Sequence, residues 1–274
     1  MWNYARFYLM YPLLIATFAG IYAGGPWMWT GTAVLFVLAV GGDFALPEDL
    51  GGWRPAHPLL VDAALYGTFP FIVALVVALL WRAVDPAAVP AAGAALQALV
   101  AWRASPPASA LDVFGGALST SLLIGIAATN VAHELMHRRG VAGPLMAKAL
   151  LVFSFDLPLV TSHLYGHHIR VGTRADHTTA RRGESSFRFI ARSTLCGNLN
   201  AWRIECERLR NQGRAPAGPA NRWLRGHALA LACVGAAGLI AGPWGAALFF
   251  ACALAAKSIL ELINYIQHYG LIRV

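Results

Sequence analysis

Charge is scarce in this chain. Only 12% of its 274 residues are Asp, Glu, Lys or Arg, against about 25% in an ordinary soluble domain. Apolar residues make up 58% and the mean hydropathy is +0.56. That balance excludes a soluble globular enzyme and leaves an integral membrane protein. Cysteine is sparse too. Cys196, Cys206, Cys233 and Cys252 form no C-x-x-C pair, so neither a disulfide framework nor a thiolate metal site is expected. The N-terminal "MWNYARFYLMYPLL" is followed by no small-residue cleavage site. It reads as the start of a first span, not as a removable signal. No internal repeat or low-complexity linker is present. Acidic residues are few, 13 against 21 basic, for a net charge of +8. Nucleic acid is nevertheless not the expected partner. Fifteen of the 21 Lys and Arg fall between Arg138 and Arg225, flanked by apolar runs, which is the positive-inside pattern of a cytoplasmic region.

Crossing about 30 Å of hydrocarbon takes about 20 apolar residues. Six runs qualify or nearly so: residues 8–22, 27–40, 60–81, 113–132, 223–240 and 244–266. The expected fold class is therefore an all-α integral membrane protein with six transmembrane helices. With the basic stretch cytoplasmic, both termini lie inside and Arg82 and Arg103 lie outside. Residues 87–102 are apolar but interrupted by Pro90 and read as a re-entrant or interfacial helix. Residues 143–160 carry Lys148, Asp156 and Pro158. A central charge there costs at least about 2.5–3.5 kcal/mol, so this segment is expected not to cross.

Histidine is where the chemistry concentrates. "HELMH" holds His133 and His137, and "SHLYGHH" holds His163, His167 and His168. A spacing of four residues places two imidazoles on one helix face. "ELINYIQHYG" adds His268, with Glu261 and Asn264 nearby on the same helix. All three groups fall at one membrane face if residues 143–160 do not cross, and they can then share metal. His57 and His227 read as ordinary loop and interfacial residues. A zinc peptidase needs two helix histidines, one further ligand and a glutamate base. That leaves the remaining histidines unexplained. Imidazole suits iron and zinc alike, so ligand count decides. Two metal ions in a shared pocket fit better, and two irons can bind and reduce dioxygen.

The motifs "HELMHRR", "HLYGHHIRVGTRADHTTARRGESSF" and "NYIQHYGLIR", with the tract "GNLNAWRIECERL", resemble the boxes of membrane-bound alkane 1-monooxygenases and xylene monooxygenases. These belong to the wider membrane fatty acid desaturase–hydroxylase group. The resemblance runs from about Val113 to the end and more loosely through the first three spans. It implies a cytoplasmic, histidine-ligated di-iron centre that hydroxylates a terminal or benzylic carbon of an alkane or alkyl-aromatic with O2. Residue by residue, it implies iron ligation by His133, His137, His163, His167, His168 and His268. It implies orienting roles for Asp176, Glu184 and Asn264. The electron donor it implies is rubredoxin or a ferredoxin-type reductase, the substrate enters from the bilayer among membrane lipids, and the location is the bacterial inner membrane.

Three departures accompany the resemblance. Ser162 stands where the second box has glutamate. His177 stands where proline follows the aspartate, and it becomes a candidate further ligand. The family's downstream H-x-x-H-H box is missing before Val274. The expectation is therefore a single desaturase/hydroxylase-like domain over residues 1–274, truncated at its C-terminus. The competing readings are a membrane fatty-acid desaturase or hydroxylase, an inactive fragment of such an enzyme, and an intramembrane zinc peptidase.

Overall fold

The computed structural model describes residues 2–45, 56–83 and 108–273. The segment read as a re-entrant helix, residues 87–102, and Arg103 lie outside the described residues. Among the described residues the chain is helical and has no strand. The main helices are α1 (Met10–Ala23), α2 (Thr30–Ala45), α3 (Pro58–Ala83), α4 (Ala110–Leu123), α5 (Thr129–Met136), α6 (Ala142–Leu151), α7 (Leu159–Ser162), α8 (His168–Arg170), α9 (Ser186–Asn211) and α10 (Arg222–His268). A π-helical turn, Ile124–Ala128, joins α4 to α5, and a second, His163–His167, joins α7 to α8. Five helical stretches are long and apolar enough to cross a membrane: Arg6–Ala23, Gly25–Gly42, Pro58–Ala83, Ala110–Met136 and Arg222–His268. The chain is an integral membrane protein.

The fold divides into two compact units. One comprises Met1–Val131 with Val234–Cys252, the other Ala132–Cys233 with Ala253–Val274. In the first, small residues let helices approach closely, the usual device where lipid removes the hydrophobic drive between helices. A side chain on Gly31 would collide with Thr17 and Ser119, and one on Gly115 with Trp29. Ser119 donates to the Met28 carbonyl at 3.1 Å and accepts from the Thr32 amide at 3.1 Å. Helix α4 starts on a capping box: Ser109 accepts from the Asp112 amide, and the Asp112 carboxylate accepts from the Ser109 amide. This satisfies donors a helix start otherwise leaves open. Arg82, expected on the outer side, is buried. Its guanidinium donates to the Ile21 and Tyr22 carbonyls at 3.1 and 2.6 Å, where the negative end of α1 favours a cation. Gly24, at φ 78°, leaves room for it.

Helix α10 is 47 residues long. As one rod it would reach about 70 Å, more than twice the hydrocarbon thickness of about 30 Å. It does not run as one rod. Ala241 (φ −129°) and Gly242 (φ 68°, ψ −173°) are non-helical, and Pro243 follows. Gly242 occupies a region that only glycine enters readily, and Pro243 brings no N–H to the ladder. A Cβ on Gly238 would lie 3.4 Å from that of Ala246, a pair that a continuous helix would hold about 12 Å apart along its axis. The chain therefore doubles back at "AGPW", where the sequence places the joint between the fifth and sixth runs.

In the second unit, residues 143–160 turn instead of extending. Helix α6 ends at Leu151, a 3₁₀ turn covers Val152–Ser154, and Phe155 takes a left-handed conformation at φ 55°. The buried core of this unit includes Leu135, Leu150, Leu151 and Phe189. It also buries a charged trio. Lys257 Nζ lies 2.7 Å from Asp156 Oδ2 and 2.6 Å from Glu261 Oε1. The trio ties the turn after α6 to the second leg of α10.

Candidate metal centre

His133 sits on α5 and His137 just beyond its end, where the chain turns toward Gly140 at φ 94°. The four-residue spacing brings the two rings to 5.0 Å between centroids. The second box is arranged differently from a plain helix. Its π turn carries a bond from the His168 amide to the His163 carbonyl, five residues back. Residues five apart therefore share a side, and His163 Nε2 lies 3.0 Å from His168 Nε2. Such turns recur at functional sites. A side chain on Gly166 would collide with Asn200, so glycine here lets α9 lie close to the box.

The ligand atoms of His133, His137, His163 and His168 all lie within 4.8 Å of one another. His133 Nε2 and His163 Nε2 are 2.8 Å apart. A metal–imidazole bond of about 2.1 Å puts two ligand nitrogens about 3.0 Å apart at a right angle and about 3.4 Å apart in a tetrahedron. The observed spacings match adjacent positions around one metal ion with right-angled bonds. Charge points the same way. Burial, and then the neighbouring imidazoles of His133, His167, His168 and His137, push His163 down to about 2. Burial, His137 and His167 lower His168 as well. These rings are neutral at physiological pH, with lone pairs free to bind a metal. The donor set fits a metal ion.

His167 turns the other way. Its Nδ1 lies 2.9 Å from Asp176 Oδ2 and 2.6 Å from Thr178 Oγ1. Asp176 also accepts from the Thr178 and Thr179 hydroxyls at 2.8 and 2.9 Å. Burial works to raise this carboxyl, but hydrogen bonds from His167 and Thr178 outweigh it and hold Asp176 well below the usual carboxylate range. A carboxylate on Nδ1 fixes the tautomer and leaves the Nε2 lone pair available, the usual partner arrangement of a ligating histidine. His268, at the end of α10, places its ring 5.2 Å from that of His167. The six histidines of the three boxes thus form a group of four and an adjoining pair.

The other candidates lie around this core. Glu184 forms a two-pronged pair with Arg192 at 2.7 and 2.8 Å, and its carbonyl accepts from Tyr265. Hydrogen bonds from Arg192 hold it below its ordinary value against the effect of burial. Its side chain braces a loop, accepting also from the Arg181 amide at 3.0 Å. Asn264 lies 3.4 Å from Glu261. His177 is half-buried and packs against Gly197, with Nδ1 3.8 Å from Asp176 Oδ1, outside the group of four. Glu134 pairs with Arg138 at 3.1 Å and is more than half exposed. Thr178, Arg192 and the Asp156–Lys257 pair escape sequence reading. Nothing in their spacing marks them, although "ADHTT" places hydroxyls directly after the orienting aspartate.

Poly-histidine boxes on a helical membrane scaffold define a class of membrane-embedded metal protein. Residues 108–273 match the family model for fatty acid desaturases, and the chain belongs to that family. It is 32% identical over 268 residues to the xylene/toluene monooxygenase hydroxylase component XylM of Pseudomonas putida, covering 98% of this chain and 68% of that protein. It is 35% identical over 167 residues to alkane 1-monooxygenase 1 of Pseudomonas aeruginosa, covering 60% of this chain and 43% of that one. It is 31% identical over 195 residues to the alkane 1-monooxygenase of Ectopseudomonas oleovorans, covering 70% of this chain and 48% of that one. The chain thus spans about half the length of these alkane monooxygenases. These relatives are monooxygenases, which supports an oxidoreductase.

Proposed function

We propose that the chain is a membrane di-iron monooxygenase that hydroxylates a terminal or benzylic carbon of an alkane or alkyl-aromatic. The observation that carries this reading is the set of four convergent imidazoles beside a His167–Asp176 pair and His268. In this reading His133, His137, His163 and His168 hold one iron, and His167 and His268 contribute to a second. Iron bound there supplies oxygen activation: R–H, O2, two electrons and two protons give R–OH and water. Asp176 keeps His167 in the tautomer that ligates. The apolar spans, six when the two legs of α10 are counted separately, admit a substrate that already partitions into the bilayer. The arginine-rich surface faces the cytoplasm of a bacterial inner membrane, with both termini inside, and receives electrons from rubredoxin or a ferredoxin-type donor.

A fatty-acid desaturase or hydroxylase is the second reading, favoured by the family match over residues 108–273. Product analysis separates the two, because an alcohol from a hydrocarbon supports the first and an alkene in an acyl chain the second. The peptidase reading is disfavoured by Glu134, which faces Arg138 and is not among the clustered ligand atoms. Metal analysis of detergent-purified protein with Mössbauer spectroscopy tests the proposal. The expected result is about two iron ions per chain, falling sharply in His163→Ala. Stoichiometric zinc in place of iron would overturn it.

A further inference from the structure

Helices α6, α7 and α10 line an open cavity of about 760 Å³ that the proposed chemistry does not use. Its walls are apolar, with Leu145, Ala149, Leu157, Val160, Leu164 and Leu229 among them. Three cations also line it: Lys148 of α6 and Arg222 and Arg225 on the first turn of α10. No carboxylate lines it with them. Glu205, an acid whose charge reaches Lys148, is engaged by Arg208 at 2.6 and 2.8 Å and by the Arg222 backbone amide at 2.7 Å. Burial and the charges of Arg222 and Arg225 hold Lys148 below its ordinary value, with Glu205 acting weakly against them. The cavity thus joins an apolar slot to a concentrated net positive charge.

An uncharged hydrocarbon gains nothing from three cations, so the charge is not explained by the oxidation substrate. An acidic protein surface would meet the cations but leave the slot unfilled. A molecule with an anionic head and an apolar tail satisfies both. The volume lies within the range of about 300–1,000 Å³ typical of small-molecule sites. The first turn of a membrane-crossing leg also sits at headgroup depth, where basic residues meet anionic lipid. We propose that this cavity binds an anionic phospholipid of the surrounding bilayer. Lys148, Arg222 and Arg225 hold its phosphate, and one acyl chain lies along the Leu145–Leu164 wall.

Native mass spectrometry of the detergent-purified full chain tests the proposal, with phosphatidylglycerol and phosphatidylcholine as probes. One phosphatidylglycerol per chain is expected to survive delipidation, while phosphatidylcholine washes off. The double variant Lys148→Gln/Arg225→Gln should weaken retention at least about tenfold, since each cation near the headgroup adds several-fold to anionic lipid affinity. Ala149→Trp fills the slot without changing charge and should also expel the lipid, which separates a site from general attraction. Circular dichroism checks that both variants fold. Equal retention of the two lipids, or unchanged retention in both variants, would overturn the site. So would displacement of the lipid by millimolar inorganic phosphate. Loss of salt-sensitive reduction by an acidic redox protein in the double variant, with lipid retention unchanged, would assign the cations to protein docking instead. None of these readouts depends on iron.

Discussion

In the proposed centre Asp176 acts through His167. Its carboxylate accepts from the imidazole and from two threonine hydroxyls, so the ring is held in one orientation and one tautomer. Asp176→Asn keeps the shape but introduces a donor where three donors already converge. Metal affinity is expected to fall about 10- to 100-fold, the usual cost of losing a carboxylate behind a ligating histidine. Iron titration of the apo protein checks this, and Asp176→Glu should recover part of the loss while Asp176→Ala should not. Lys257 carries a different burden. It holds two buried carboxylates, and Lys257→Met leaves both without a cation. Removing one partner from such a buried cluster costs about 3–5 kcal/mol, which thermal unfolding in detergent should register as a large drop in Tm. Asp156→Asn should cost less, because Glu261 still pairs with the lysine.

At the level of elements, the break in α10 is the joint that returns its second leg, with His268, to the unit that holds the other histidines. Gly242 adopts φ 68°, ψ −173°, so Gly242→Ala should destabilise the protein by about 1–3 kcal/mol. Gly235→Ala on the same helix meets no neighbour and has ordinary φ, so it should leave the melting temperature nearly unchanged. The joint was legible in "AGPW", because glycine and proline announce their backbone demands locally. The break within residues 143–160 was legible as well, since Lys148, Asp156 and Pro158 oppose one continuous apolar helix, and the helix ends at Leu151. The second histidine box was legible only in part. Four-residue spacing pairs His163 with His167 on a plain helix, whereas the π turn pairs His163 with His168 and frees His167 for Asp176. A π turn depends on one extra residue accommodated by packing, and no residue type declares it. The buried roles of Arg82 and Lys257 were hidden for a related reason: Arg82 meets carbonyls about 60 residues away, and Lys257, besides its local partner Glu261, meets Asp156 about 100 residues away.

Across the whole molecule, charge and hydropathy together predict a direction in the membrane. Fifteen of 21 basic residues lie between Arg138 and Arg225, the stretch that also carries four of the nine histidines, and in the proposed orientation the positive-inside bias puts them in the cytoplasm. The cysteines offer a direct test. Cys196 on α9 is exposed, Cys206 and Cys252 are buried, and Cys233 is only partly accessible. A membrane-impermeant maleimide should therefore label chiefly one position. Labelling is expected in inside-out vesicles and absent in intact spheroplasts, and Cys196→Ser should abolish it. Cys196 makes no contact with the clustered histidines, so that variant should retain its metal. Labelling of intact spheroplasts at Cys196 would place the histidine boxes outside. Electron delivery by a cytoplasmic donor would then be impossible, and the di-iron monooxygenase reading would need a different reductant.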